Sequence, residues 1–194
     1  MIIYSYLSNK LCNFIKNFMN ISLPGDKEYE ARPSIENKIL RINLNENIYG
    51  TFVEIGAGQE VVRGFYRVGG ASGTIAKSMS AYDRSFSDSI YGKDGEKRYV
   101  TQNRLDQMLD HEMNLLEQRI SRDEFPNKFF FVYANTVATI DFVKKFKGHG
   151  WMGIRFQTNP NDEYSEIKLH VRFHQNEAKL QQESLGIMGV NLIY

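Results

Sequence analysis

Cysteine is nearly absent from this chain, which has only Cys12 among its 194 residues. A single cysteine forms neither an internal disulfide framework nor a cysteine-based zinc site, and its scarcity fits a reducing compartment. Net charge is also small, because basic and acidic residues almost balance to a formal +1. The chain therefore has no overall basic field that would attract nucleic acid or acidic lipid, and we expect no nucleic-acid partner.

Long apolar runs are missing as well, since no stretch of about 18 uncharged apolar residues, the length of a membrane span, occurs. Residues 1–20 carry apolar side chains at helical spacing, but they have no basic start and no small-residue cleavage site of a signal peptide. We therefore expect a cytoplasmic protein without integral membrane association. The first helix is expected to dock on the domain, and a membrane-surface or partner-binding helix is the alternative.

The apolar patterns predict an α/β fold, a mixed sheet with a C-terminal antiparallel hairpin, packed by helices. Residues 51–55 and 129–134 are continuous apolar runs, which are typical of strands covered on both faces. Residues 151–157 and 166–173 alternate on either side of a turn and indicate the hairpin. A further strand is predicted at 39–47, and residues 59–68 fit a helix or a strand.

Helices are predicted at 74–82, 101–121, 137–147 and 175–184 from apolar spacing and from capping residues. The predicted organisation is an amphipathic helix and linker over residues 1–45, followed by one α/β domain over 46–194. The chain stops at the apolar stretch GIMGVNLIY. We expect either a fragment of a longer protein or a buried terminus.

Two groups of glycines between residues 50 and 83 are the first candidate site. Gly56 and Gly58 follow a predicted strand, where backbone N–H groups and a helix dipole can hold a phosphate. The motif VEIGAG also matches the first motif of methyltransferases that bind S-adenosylmethionine. Tight-turn packing of these glycines is the alternative.

The second group lies in the segment GGASGTIAKS. We expect this segment to begin a helix and to bind an anion at the start of that helix. Flexible glycines, two hydroxyls and a lysine one turn into the helix would surround a phosphate group. The predicted ligand-binding residues here are Gly70, Ser72, Gly73, Thr74 and Lys77. An ordinary capped turn with a solvated lysine is the alternative.

Basic side chains on the hairpin form the second candidate site. His170 and Arg172 alternate with apolar residues on the second strand, and Arg155 lies on its partner strand. Arginine pairs well with phosphate or carboxylate, and histidine transfers protons near neutral pH. We therefore predict that these three residues are catalytic. The alternative is that they form an ordinary solvent-exposed face of the sheet.

Asn135 ends a predicted buried strand, and ligands of open α/β sheets gather at the carboxyl ends of strands. We therefore predict that Asn135 also contacts the bound ligand. No group of His, Asp or Glu stands at metal-ligand spacing, so no metal site is predicted.

Several blocks of the sequence resemble a family of uncharacterised bacterial proteins. These blocks are FVEIGAGQEVVRGFYRVGGASGTIAKSMSAYD, SDSIYG, RLDQMLDHE, GWMGIRFQ, LHVRFH and QQESLGIMGVNLIY, and residues 1–40 lie outside them. Members carry the labels nicotinamide-nucleotide adenylyltransferase and TonB-dependent receptor. The HxGH signature of such adenylyltransferases and the signal peptide and long barrel of such receptors do not occur here. The resemblance implies a cytoplasmic protein, and members have longer chains.

Three functions follow as hypotheses. The first is a transferase-type enzyme, or part of one, that binds a nucleotide or another small phosphorylated ligand. The second is an S-adenosylmethionine-dependent methyltransferase. The third is a non-enzymatic interaction or scaffold module, either a homo-oligomer or a part of a larger assembly.

Overall fold

A computed structural model shows a five-stranded sheet with the order β2-β1-β3-β4-β5. Strand β1 is parallel to β2 on one side and to β3 on the other, and β4 and β5 continue as an antiparallel hairpin. This arrangement confirms the predicted α/β fold with a mixed sheet. The strands are β1 (Ile48–Gly56), β2 (Ile75–Ala81), β3 (Phe129–Ala138), β4 (His149–Phe156) and β5 (Ser165–Arg172).

The structure describes residues 32–93, 99–141, 143 and 147–194. Pro33–Tyr194 is one compact unit, which starts earlier than the boundary predicted after residue 45. The amphipathic helix predicted for residues 1–20 lies outside the described residues. In the described ranges, no helix has the length and apolar character that a bilayer crossing requires.

Five helices cover the two faces of the sheet in the described part of the chain. They are α1 (Ile35–Asn43), α2 (Glu60–Val68), α3 (Arg84–Tyr91), α4 (Gln102–Arg119) and α5 (Ala178–Ile193). Helices α1, α2 and α5 contact one another, and α4 packs across β3 and β4 with α3 beside it. Side chains of Ser34, Asp83 and Thr101 cap α1, α3 and α4, as short polar residues do at helix starts.

Each face of the sheet carries its own apolar core. Phe52, Phe65 and Tyr133 belong to the cluster under α1, α2 and α5. Val53, Val132 and Leu109 belong to the cluster under α3 and α4. Because successive side chains of a strand point to opposite faces, β1 and β3 must be apolar at nearly every position. This explains the continuous apolar runs from which both strands were predicted.

Two secondary-structure predictions were wrong. Residues 75–81, predicted as a helix, are strand β2, and their backbone pairs with β1 from Gly50 to Ile55. Residues 39–47, predicted as a strand, lie mostly in α1, which Ser34 begins by accepting a hydrogen bond from the N–H of Asn37. Residues 59–68, which fitted either type, are helical.

Two further helix predictions had the wrong limits. Residues 137 and 138 still belong to β3, and residues 142 and 144–146 of the predicted helix lie outside the described residues. Helix α5 runs from Ala178 to Ile193 rather than ending at residue 184. The apolar C-terminal stretch therefore continues the helix, and its Val190 is buried in the core, as is Leu185 just before it.

Candidate functional site

A pocket opens where the parallel strands end at their carboxyl termini. The chain leaves β1 to form β2 on one side, and later returns to form β3 on the other side of β1. In open α/β sheets such a change of direction creates a crevice outside the strand ends, and ligands bind there. The pocket has a volume of about 510 Å³, within the range of small-molecule sites.

The pocket wall is mostly apolar, with a few polar groups. Tyr82, which follows β2, is 79% exposed and presents its ring at the pocket. Thr139 and Asp141 follow β3 and supply a hydroxyl and a carboxylate. The described lining residues are Gly56, Ala57, Tyr82, Val137, Ala138, Thr139, Ile140, Asp141 and Val143.

Gly56 forms the turn from which the pocket wall begins. Its φ is +79°, and a Cβ added there would lie 2.4 Å from the carbonyl oxygen of Val137. The N–H of the next residue, Ala57, donates to that same carbonyl at 3.1 Å. Gly56 is thus required both by its left-handed conformation and by the close approach of β3.

Gly58 is a packing glycine. A Cβ added there would lie 2.3 Å from Cδ2 of Leu185 and 2.9 Å from Oδ1 of Asn135. The side chain of Leu185 therefore occupies the space over this residue. Helix α5 also holds the turn through Gln182, whose amide donates to the carbonyl of Ala57 at 2.9 Å.

The beginning of α2 already holds a carboxyl group from the chain itself, the side chain of Glu54. Its carboxylate accepts hydrogen bonds from the N–H groups of Val61 at 3.2 Å and Val62 at 3.0 Å. It also accepts one from Nδ2 of Asn135 at 2.9 Å. Free N–H groups and the dipole make a helix start attractive to anions, and here Glu54 satisfies both.

Glu54 is almost completely buried, with 1% of its surface exposed. Burial raises the pKa of Glu54 from 4.5 to about 7, against the opposing effect of its three hydrogen bonds. Burial, together with the nearby Glu54, also raises the pKa of Tyr133 above its usual range. Asn135 contacts both groups, with Nδ2 3.4 Å from the hydroxyl of Tyr133, while its Oδ1 has no hydrogen-bond partner.

This cluster changes the interpretation of the first candidate site. The predicted phosphate position at the start of α2 is taken by Glu54, and α5 covers it from outside. Asn135 is fully buried beneath the turn, so its side chain does not line the pocket. The buried carboxylate was missed because it stands within an apolar run, FVEIG. The sequence did contain a signal for it: an acidic residue inside a strand that is buried on both faces must have hydrogen-bond partners within the protein.

The second glycine group lies at the opposite end of the parallel strands from Gly56. Ile75 pairs with Gly50 near the amino end of β1, whereas Gly56 is at its carboxyl end. Residues 71–73 form a 3₁₀ turn with Gly70 before it at a φ of +76°, and Ser72 and Gly73 are exposed. The hydroxyl of Thr74 donates to the carbonyl of Asn43 at 2.9 Å. The predicted helix start with its anion cradle is therefore not present here.

Lys77 has an internal carboxylate partner. Its Nζ forms an ion pair with the buried Glu112 of α4, whose other oxygen accepts a hydrogen bond from the hydroxyl of Tyr91 at 2.9 Å. Lys77 therefore balances the charge of Glu112 between β2 and α4. This pairing replaces the predicted position one turn into a helix beside a phosphate.

Arg155, His170 and Arg172 lie on the same face of the sheet, the one that α4 covers. Their side chains contact neighbouring residues of the hairpin and of α4. Arg155 forms ion pairs with Asp110 and Glu166. His170 stacks on Trp151 with the ring centroids 4.7 Å apart. Burial and the charge of Arg172, which pairs across the strands with His149, lower the pKa of His170.

The structure does not bring the hairpin and the glycine groups together. His170 and Arg172 lie at the same end of the strands as Gly56. However, they belong to β5, and β3 and β4 lie between β5 and β1. With strands spaced about 4.8 Å apart, the separation from β1 to β5 is about 14 Å. Neither residue belongs to the described lining of the pocket. The described residues also include no group of three His, Cys, Asp or Glu side chains that could hold a metal ion.

Fold and pocket define a three-layer α/β protein with a crevice at the switch point of its sheet. The competence/damage inducible protein CihA from Agrobacterium tumefaciens has a similar fold, with a TM-score of 0.60 over 83% of this chain and 94% of that one, at 12% identity. A competence-damaged protein (CinA) superfamily protein from Klebsiella pneumoniae also has a TM-score of 0.60, at 8% identity, over 81% and 91%.

A third similar structure is a CinA superfamily protein from Enterobacter cloacae, with a TM-score of 0.56 at 8% identity over 89% of this chain and 97% of that one. No protein-family model matches the chain, and no curated protein matches it. At such low identity, the similarity to these structures is one of fold.

Proposed function

We propose that this protein binds a nucleotide, or a related phosphorylated metabolite, in the pocket at the carboxyl ends of β1 and β3. The observation that carries the proposal is the pocket's position. The strand order 2-1-3-4-5 places the switch point between β1 and β3, where doubly wound parallel sheets of this order bind a flavin nucleotide. This sheet shares the parallel part, β2-β1-β3, and differs in its antiparallel β4 and β5. Gly56 of β1 and Val137 of β3 both line the pocket.

The lining suits the ring and the sugar of such a ligand. The exposed ring of Tyr82 offers a face on which a base can stack, a contact typically worth about 1–3 kcal/mol. The carboxylate of Asp141 and the hydroxyl of Thr139 offer hydrogen bonds to ribose hydroxyls. Asp141 also accepts a hydrogen bond from the N–H of Val143 at 2.9 Å, which fixes its orientation.

The phosphate contributes less than the base in this arrangement. Glu54 already saturates the start of α2, so a phosphate cannot use those N–H groups and lies toward the rim of the pocket. We therefore expect a nucleoside and its monophosphate to differ less than tenfold in affinity. A helix-terminus phosphate site would instead favour the phosphorylated form strongly.

The test is calorimetric titration of the protein with a panel of nucleosides, nucleoside monophosphates and dinucleotides. We expect at least one member to bind, and Tyr82→Ala to weaken its binding at least tenfold. Phe86→Ala is the matched control, because Phe86 is a nearby aromatic residue that is 59% exposed and does not line the pocket. The proposal fails if no member binds with a submillimolar dissociation constant, or if both variants bind like the wild type.

S-adenosylmethionine is a second candidate ligand, favoured by one observation. The methyltransferase hypothesis requires an acidic residue after the strand that follows the glycine motif, and Asp83 stands two residues beyond the end of β2. Asp83 also caps α3 by accepting from the N–H of Phe86 at 2.9 Å. In the same titrations, this candidate is supported only if S-adenosylmethionine binds and adenosine binds at least tenfold more weakly.

A further inference from the structure

The outer edge of β5 is built for pairing with another strand. Among the residues that the structure describes, β5 is the last strand of the sheet, and it has eight residues, Ser165–Arg172. Just beyond it, the N–H of Phe173 donates to the carbonyl of Gly148 on the β4 side. In an antiparallel ladder, hydrogen-bonded and non-hydrogen-bonded residues alternate. The backbone groups that point outward therefore belong to Glu166, Lys168, His170 and Arg172.

The side chains of β5 are held firmly although the strand is at the edge. Lys168 forms ion pairs with Asp106 of α4 at 2.8 Å and with Glu166 at 2.8 Å. Glu166 in turn pairs with Arg155 of β4. Lysine often protects an edge strand from pairing, but here its charge is drawn over the sheet toward α4. The strand is thus ordered before any partner arrives.

The charge sequence of β5 is complementary to itself in one antiparallel register. If a two-fold axis passes beside Leu169, Glu166 of each copy lies opposite Arg172 of the other, and Leu169 lies opposite its own equivalent. All outward-pointing backbone groups are then paired. Moving the axis by one residue places Lys168 opposite Lys168, or Lys168 opposite Arg172, and like charges opposite each other are destabilising.

We propose that a second copy of this chain pairs with β5 in this register, so that the two sheets join into one continuous sheet across the two-fold axis. Opposite charges at the ends of the paired segment and Leu169 at its centre select the register. Because strand pairing alone buries less than a standard interface of about 1,600 Å², we expect a dissociation constant in the micromolar range. The proposal is independent of the ligand pocket.

Cysteine cross-linking of the full chain tests the register. In a Cys12→Ser background, Leu169→Cys should form a disulfide-linked dimer under mild oxidation, because opposed non-hydrogen-bonded residues have Cα atoms about 4.5 Å apart, within disulfide range. Ile167→Cys is the control. It lies on the same face, but four residues separate it from its equivalent, about 14 Å along the strand, so it should stay monomeric. Equal cross-linking of both, or of neither, would overturn the proposal.

Sedimentation equilibrium of the unmodified chain provides the second readout. Arg172→Glu places two carboxylates opposite each other at both ends of the paired segment, and like charges directly opposite each other are destabilising. We expect the dissociation constant of the dimer to rise at least tenfold. Lys179→Glu, the same charge change on the exposed surface of α5, should leave it unchanged. A wild type that stays monomeric at all concentrations would contradict the proposal.

Discussion

Glu54→Gln should remove a large pH-dependent component from the stability of this protein. The carboxyl group of Glu54 is buried, and its pKa in the folded chain is about 7, against 4.5 for an ordinary glutamate. A difference of this size corresponds to about 3 kcal/mol between the two protonation states. Glutamine has the same shape and cannot titrate. The variant should therefore lack this component completely.

The direction follows from where the proton is held. Below pH 4.5 Glu54 is protonated in both the folded and the unfolded chain, so its contribution to stability is constant. Between pH 4.5 and about 7, the unfolded chain releases the proton while the folded chain keeps it, so the free energy of unfolding falls as pH rises. Above pH 7 the contribution is again constant, at its lower value.

The measurement is urea unfolding of wild type and Glu54→Gln at several pH values from 4.5 to 8. Groups that titrate in both proteins contribute equally to the two curves; Glu166, whose pKa is lowered by its contacts with Lys168 and Arg155 despite partial burial, is already charged over this range. The difference between the two proteins isolates Glu54. We expect the wild type to lose about 3 kcal/mol relative to the variant between pH 4.5 and 7.5. A difference that is flat, or that rises with pH, would show that Glu54 is charged in the folded protein at low pH.

The strands that could be predicted from the sequence are those whose apolar pattern directly reflects which faces of the strand are buried. Strand β3 is covered on both sides and is apolar throughout, and the β4–β5 hairpin alternates because one face meets a core. Strand β2 could not be recognised in this way. It lies at the edge of the sheet, and its burial is partial at most positions, so serine and lysine are tolerated there. Its pairing with β1 overrides the helical pattern of its residues.

Helix α1 was mistaken for a strand for a different reason. Its apolar residues Ile39 and Ile42 are three apart and buried, but Leu40 and Leu44 are exposed and add an alternating pattern. The stronger signal was Ser34, which caps the helix, with Glu36 in its first turn. The linker predicted within residues 1–45 concealed that signal, because it assigned the cap and the first turn to a loop.

The candidate site shows why a glycine turn alone does not identify a ligand. The prediction that a negative group sits at the start of α2 was physically sound, because free N–H groups and the helix dipole attract one. The group that meets these donors is the carboxyl of Glu54, only six residues before the helix begins at Glu60. A sequence pattern cannot distinguish a bound phosphate from an internal carboxylate, since both satisfy the same donors. The pocket that remains open lies beside this turn, under Tyr82.

Gly58→Ala should destabilise the protein by about 2–3 kcal/mol, the cost of overpacking a well-filled core. The added methyl group would lie 2.3 Å from Cδ2 of Leu185, and 2.9 Å from both Oδ1 of Asn135 and Cγ2 of Val137. All three side chains are buried, so none can move aside freely. The measurement is the free energy of unfolding from urea titration. Gly73→Ala is the matched control, because nothing lies within 4 Å of a Cβ added there.

A double-mutant cycle with Leu185→Ala shows whether packing is the reason for this glycine. Leu185→Ala alone should cost about 2–5 kcal/mol, because it leaves a cavity. In that background Gly58→Ala should cost about 1–2 kcal/mol less than in the wild type, because its methyl group enters the space that Cδ2 has left. The remaining cost comes from Asn135 and Val137. If the two effects simply add, Leu185 is not what requires a glycine here, and the contacts with Asn135 and Val137 account for the whole cost.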